Sequence, residues 1–221
     1  MKFSEISMNT LNNETSELNN YLTPEQTNLR EEDNAYWDRV FESFRSENDD
    51  MASKMFDFDE NFAFEFPFDE SIDEMISHFN MDNWAEKNID ERKEIIAQTV
   101  ECIRNKLGIE QPVNIVYFKD EPDYCGYFNE QYREIGINEN ILDNPMEVLD
   151  TLAHEIRHGY QRYRADICEN ETDQLYKYNF EHYISPQQDE DGHYINYFEY
   201  YNQFIETEAR AFANGFTGRM G

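Results

Sequence analysis

The stretch from Asn144 to Tyr163 constrains this chain more than any other. Asn144-Pro145-Met146-Glu147 reads as a helix start, with Asn144 as N-cap, Pro145 at the first helical position and Glu147 three residues after the cap. Val148, Leu149, Leu152, Ile156, Tyr160 and Tyr163 then recur at helical spacing and make a buried stripe. Inside this helix lies His154-Glu155-Ile156-Arg157-His158, an H-E-x-x-H pattern. Two histidines four apart project from one helix face, one turn above the other. Both imidazoles can then reach a single zinc ion at about 2.0–2.1 Å. Glu155 sits beside such an ion rather than on it, where a carboxylate can take a proton from an activated water. The pattern predicts zinc as cofactor, His154 and His158 as ligands and Glu155 as the catalytic base. Arg157 and Gln161 flank the motif and read as packing or surface-polar residues.

A catalytic zinc site usually has three protein ligands and one open position. No third histidine follows at the H-E-x-x-H-x-x-G-x-x-H spacing, because Gly159 and Gln161 to Arg164 do not provide it. His78, His182 and His193 lie in acidic or polar stretches and read as ordinary exposed histidines.

Upstream of the helix the signals are those of a small sheet. Val113–Phe118, Tyr124–Phe128 and Arg133–Asn138 read as three strands, the last two joined by a short polar turn. Arg133–Asn138, the strand before the helix, is expected to offer its edge to an extended peptide. Before them, Ile95, Ile96, Val100, Ile103 and Leu107 mark a helix face that Gly108 terminates. Asp166 to Ile195 is polar and irregular, with room for short helical pieces. A final helix is predicted over Tyr197–Phe216, with Ile205, Ala209, Phe212, Ala213 and Phe216 inward.

The first part of the chain has a different character. Residues 1–90 carry 23 acids and 6 bases, a net of −17. A helix is expected around Pro24–Arg45. Phe56 to Glu70 alternates aromatic and acidic residues, as an edge strand or an acidic–aromatic interaction segment would. The reading divides the chain into 1–88, an acidic segment that is partly helical or disordered, and 89–221, a metallopeptidase-like domain. The whole chain has a net charge of −30. Such a surface repels nucleic acid and anionic membrane and can attract a basic protein partner for the acidic segment. Cys102, Cys125 and Cys168 are odd in number and form no CxxC, which argues against a disulfide framework. With no apolar leader and no membrane-length apolar run, the expected compartment is the cytoplasm, with export lacking a cleaved signal left open.

One later stretch adds a resemblance. Glu206-Thr207-Glu208-Ala209-Arg210-Ala211-Phe212-Ala213, coming after a helical H-E-x-x-H, resembles the small gluzincin-type zinc metallopeptidases, including the ImmA/IrrE-like group. The missing third histidine separates it from the metzincin pattern. The resemblance covers roughly Val113 to Phe216. It implies an α+β, zincin-like fold, with a small sheet packed on the H-E-x-x-H helix and on a glutamate-bearing helix. It implies Glu206 as third zinc ligand, with Glu208 in reserve or as the partner of a zinc-bound histidine. It implies hydrolysis of a protein or peptide substrate. The chain departs from the family in two ways. Forty-seven residues separate His158 from Glu206, so an insertion must loop out, and Arg210 stands where several gluzincins have an acid that supports a histidine. The oxyanion-stabilising group falls among Tyr197, Tyr200, Tyr201 and His193. Three other readings are consistent with these residues: an exported effector or toxin protease, a zinc-binding module without catalysis, and an acidic inhibitor or nucleic-acid mimic.

Overall fold

Ile135 and Ile137 are fully buried and alternate with Gly136 and Asn138, which are also covered. A strand buried on both faces belongs in the middle of a sheet, and that is where Glu134–Asn138 lies. In the computed structural model, which describes residues 54–55, 66–119, 124–190 and 192–220, the three strands are β1 (Asn114–Phe118), β2 (Gly126–Asn129) and β3 (Glu134–Asn138). Their order is β1-β3-β2, with β1 parallel and β2 antiparallel to β3. The expectation that β3 has a free edge is therefore wrong. It is hydrogen-bonded on both sides, and β1 and β2 are the edges. A two-strand hairpin was readable from the polar turn, but the return of β1 to the far side of β3 is set by long-range pairing, such as Ile115 opposite Ile135.

Among the described residues there are seven α-helices, so the fold class is α+β. They are α1 (Glu70–Ser77), α2 (Met81–Ala85), α3 (Ile89–Lys106), α4 (Pro145–Ile167), α5 (Glu171–Glu181), α6 (Tyr197–Asn202) and α7 (Phe204–Thr217). No described helix is long and apolar enough to cross a membrane. Asn88 and Glu91 form a reciprocal capping box that starts α3, and Gly108 follows its end at φ +71°, the left-handed region that glycine enters without strain. Asn144 caps α4 through the Glu147 N–H, as its sequence requires. The helix runs to Ile167, one turn beyond Tyr163, and ends where Cys168 takes φ 55°.

Two predicted boundaries moved. The polar stretch after Asp166 contains α5, opened by a capping box between Asn170 and Asp173 and buried through Leu175 and Tyr176. The single final helix is broken at Gln203, whose φ −56° and ψ 142° are extended. Its buried amide accepts from Ile184 N–H at 2.8 Å and donates to the Ile184 carbonyl at 2.9 Å. Those bonds, made to a distant loop, are what interrupt the helix.

One core joins these parts. Ile96, Val100 and Ile103 of α3 meet Leu149, Leu152 and Ile156 of α4, Ile135 and Ile137 of β3, and Phe212 and Phe216 of α7. Each fully buried aliphatic side chain contributes about 1.5–3 kcal/mol of transfer free energy. Phe66, Ile72, Met75, Phe79 and Trp84 are in the same core, so the residues on either side of position 88/89 share it. The Trp84 indole N–H reaches the Leu142 carbonyl at 2.8 Å and its ring stacks on Phe79. All described residues fall in one unit that begins at Lys54. The helix expected over Pro24–Arg45 and most of the Phe56–Glu70 stretch lie outside the described residues.

Candidate metal centre

The site is built where α4, α7 and β2 meet. His154 and His158 stand on one face of α4, with ring centroids 4.7 Å apart and planes at 81°. Their Nε2 atoms are 3.0 Å apart. Glu206, in the first turn of α7, brings Oε2 to 3.5 Å from His154 Nε2 and Oε1 to 3.6 Å from His158 Nε2. Donors at about 2.0–2.1 Å from a tetrahedral ion are about 3.3 Å from one another, and the 3.0 Å between the two nitrogens and the 3.5 and 3.6 Å from each nitrogen to its nearer Glu206 oxygen lie close to that separation. The three expected ligands thus come together, although 48 positions part His158 from Glu206 in the chain.

The three side chains shift one another's titration. Burial would raise the Glu206 carboxyl, but the His158 and His154 imidazoles outweigh it and hold it well below the usual carboxylate range. Burial would lower His158, but Glu206 reverses this and pushes it up to about 9. Glu206 Oε2 is buried and makes no hydrogen bond. A buried carboxylate oxygen with no donor is costly unless a positive charge faces it. Two imidazole nitrogens and one carboxylate are a donor set that suits zinc.

Glu155 lies next to this triad, against the sheet. Burial raises its carboxyl, and the two histidines and the Phe128 N–H only partly offset that. The strand register explains the Phe128 contact. Asn138 N–H bonds the Cys125 carbonyl, so Tyr127 and Asn129 are the β2 residues that bond β3, and the N–H of Phe128 points outward. Helix and strand are close because two glycines let them approach. A Cβ on Gly126 would stand 2.5 Å from Thr151 Cγ2 and 2.7 Å from the Gly136 carbonyl, and one on Gly159 would stand 3.1 Å from the Phe128 ring.

Arg157 and Gln161, expected at the surface or in ordinary packing, are buried and form a polar network with Glu208. Gln161 Nε2 donates to the Ile205 carbonyl at 2.9 Å and also to Glu208 Oε2. With both amide hydrogens used, Gln161 Oε1 must face His158 Nδ1, 2.8 Å away. An acceptor there keeps the proton on Nδ1 and leaves the Nε2 lone pair for a metal. Arg157 spans the Glu208 carboxylate, with Nε 3.1 Å from each oxygen, and Tyr176 donates to Glu208 Oε1 at 2.8 Å. Glu208 is thus neither a ligand nor a direct partner of a histidine; it acts on His158 through Gln161. Arg210 turns to Tyr201 and Thr207 instead of to a histidine. Its guanidinium stacks 3.5 Å above Tyr201 and bonds Thr207 at 3.0 Å.

Of the four expected oxyanion candidates, His193 is exposed beside Asp189, Tyr201 lies under Arg210, and Tyr197 is 39% exposed. Tyr200 is half-buried; burial, then Glu206 and Glu155, raise its phenol, while Tyr197 feels Glu206 more weakly than its own burial and its neighbours Tyr201, Arg210 and Tyr194. Tyr183 was missed altogether, and its hydroxyl donates to Glu206 Oε1 at 2.8 Å. His78 and His182 are exposed, as expected. The i, i+3, i+4, i+7 spacing of His154, Arg157, His158 and Gln161 was the available signal for the network. Nothing local marked Tyr183 among 15 tyrosines. Comparison of the chain with protein-family models, with curated proteins and with solved structures finds no match.

Proposed function

We propose that this chain is a zinc-dependent hydrolase of zincin-like architecture, a metallopeptidase that cleaves a protein or peptide substrate. The observation that carries this reading is the convergence of His154 Nε2, His158 Nε2 and Glu206 within ligand separation, with Glu155 beside them. Zinc held by these three residues supplies a Lewis acid that polarises the scissile carbonyl and acidifies water. Glu155 takes the proton of the attacking water and returns it to the leaving amine. Its burial favours this, because a raised carboxyl is a stronger base closer to neutral pH. Gln161 keeps His158 in the tautomer that binds. Tyr200, whose phenol feels both Glu206 and Glu155, is the group assigned to donate to the developing oxyanion.

The outward main-chain groups of Gly126 and the Phe128 carbonyl belong to an edge strand beside Glu155, whose carboxyl takes the Phe128 N–H. An extended substrate main chain pairs along that edge. The net charge of −30 favours basic substrates or a basic partner, through long-range attraction. The test is digestion of a zinc-loaded pool of basic and acidic unstructured proteins by wild type and Glu155→Gln. The reading expects cleavage that falls about 10²-fold or more in the variant. Equal cleavage by both proteins would contradict it.

A further inference from the structure

The two oxygens of Glu206 have different surroundings. Oε1 accepts the Tyr183 hydroxyl at 2.8 Å, whereas Oε2 is buried and makes no hydrogen bond. A carboxylate facing a dication can use one oxygen or both. An oxygen that already accepts an O–H has less charge to offer, so this hydrogen bond makes the two unequal.

The placement of Tyr183 is built in. It follows the end of α5 by two residues, and its ring is exposed while its hydroxyl turns inward to Glu206. Ile184, its neighbour, has both backbone groups bonded by the buried side chain of Gln203, at 2.8 and 2.9 Å. Gln203 directly precedes α7, the helix that carries Glu206. One edge-to-face contact with Tyr200, at 6.4 Å, steadies the ring. The long segment between His158 and Glu206 therefore returns one hydroxyl to the ligand carboxylate.

We infer that Tyr183 is a positioning residue that holds Glu206 to one-oxygen metal binding and so keeps a place open beside Glu155 for water. This rests on the metal-centre reading above. Losing Tyr183 frees Oε1 to reach the metal as a second oxygen, and also removes the bond that aims the carboxylate.

The experiment uses the full chain, stripped of metal by chelator. Zinc affinity is read by competition with a chromophoric chelator, and coordination by the visible spectrum of the Co²⁺ form. Tyr183→Phe keeps the ring and removes only the hydroxyl; Tyr194→Phe, in the same ring cluster, is the control. The inference expects zinc affinity about tenfold or more weaker in Tyr183→Phe, with weaker visible Co²⁺ bands as the coordination number rises, and no change in Tyr194→Phe. A Tyr183→Phe protein with wild-type affinity and spectrum, while His154→Ala loses the metal, would overturn the inference and leave the centre intact. Equal binding by wild type and His154→Ala would overturn the centre and the inference with it.

Discussion

Gln161 Oε1 lies 2.8 Å from His158 Nδ1, and the Gln161 amide nitrogen is committed to Ile205 and Glu208. The amide therefore has one orientation, and the imidazole one tautomer. Gln161→Leu should keep most of the side-chain volume and lose this control. Zinc affinity is expected to drop about 10–100-fold, read by chelator competition.

Glu208 faces Arg157, Gln161 and Tyr176 in a fully buried setting. Removing one member of a buried ion pair leaves the other uncompensated. Glu208→Ala should cost about 3–5 kcal/mol, measured as the shift of the urea midpoint at unchanged slope. A cost below about 1 kcal/mol would show that Arg157 finds another partner.

Gly126 lets β2 lie close against Thr151 of α4. The Cβ of Gly126→Ala would have to displace Thr151 or the Gly136 carbonyl, at 2.5 and 2.7 Å. The expected cost is about 1–3 kcal/mol. The strand should also draw away from Glu155, so activity should fall further than the loss of folded protein explains. Stability and specific activity of one preparation check both.

Asp173 pairs with Arg164 at 2.7 and 2.8 Å and accepts the Glu169 and Asn170 backbone N–H groups. Burial would raise its carboxyl, but Arg164 and those N–H groups hold it below its ordinary value. A depressed folded-state carboxyl adds stability that is present above the unfolded value, about 3.9, and is lost as pH falls through the folded one. Asp173→Asn should cost about 1–3 kcal/mol at pH 7. The gap between the two proteins should close as the pH is lowered below about 4. Urea titrations at several pH values show this directly; a gap that widens in acid would contradict it.

Much of the centre was legible because α4 is locally consistent. Asn144, Pro145 and the apolar stripe specify a helix, and four-residue spacing then places His154 and His158 together. What escaped the reading depends on distant partners. The central place of β3 comes from pairing with β1 across 20 positions. The break at Gln203 comes from Ile184, and α5 has few apolar residues beyond Leu175 and Tyr176 to show a period, though its Asn170–Asp173 box was there to be seen. The burial of Arg157 depends on Glu208, 51 positions away, and a formal charge in the sequence does not say whether it will be paired inside.

The central claim is that His154, His158 and Glu206 hold one metal ion. It is tested most directly by the metal content of purified protein, wild type beside His154→Ala and Glu206→Ala, each after zinc reconstitution and removal of free metal. The account predicts about one zinc per wild-type chain and a large loss in both variants. Wild-type protein without zinc, or variants that retain it fully, would contradict the account.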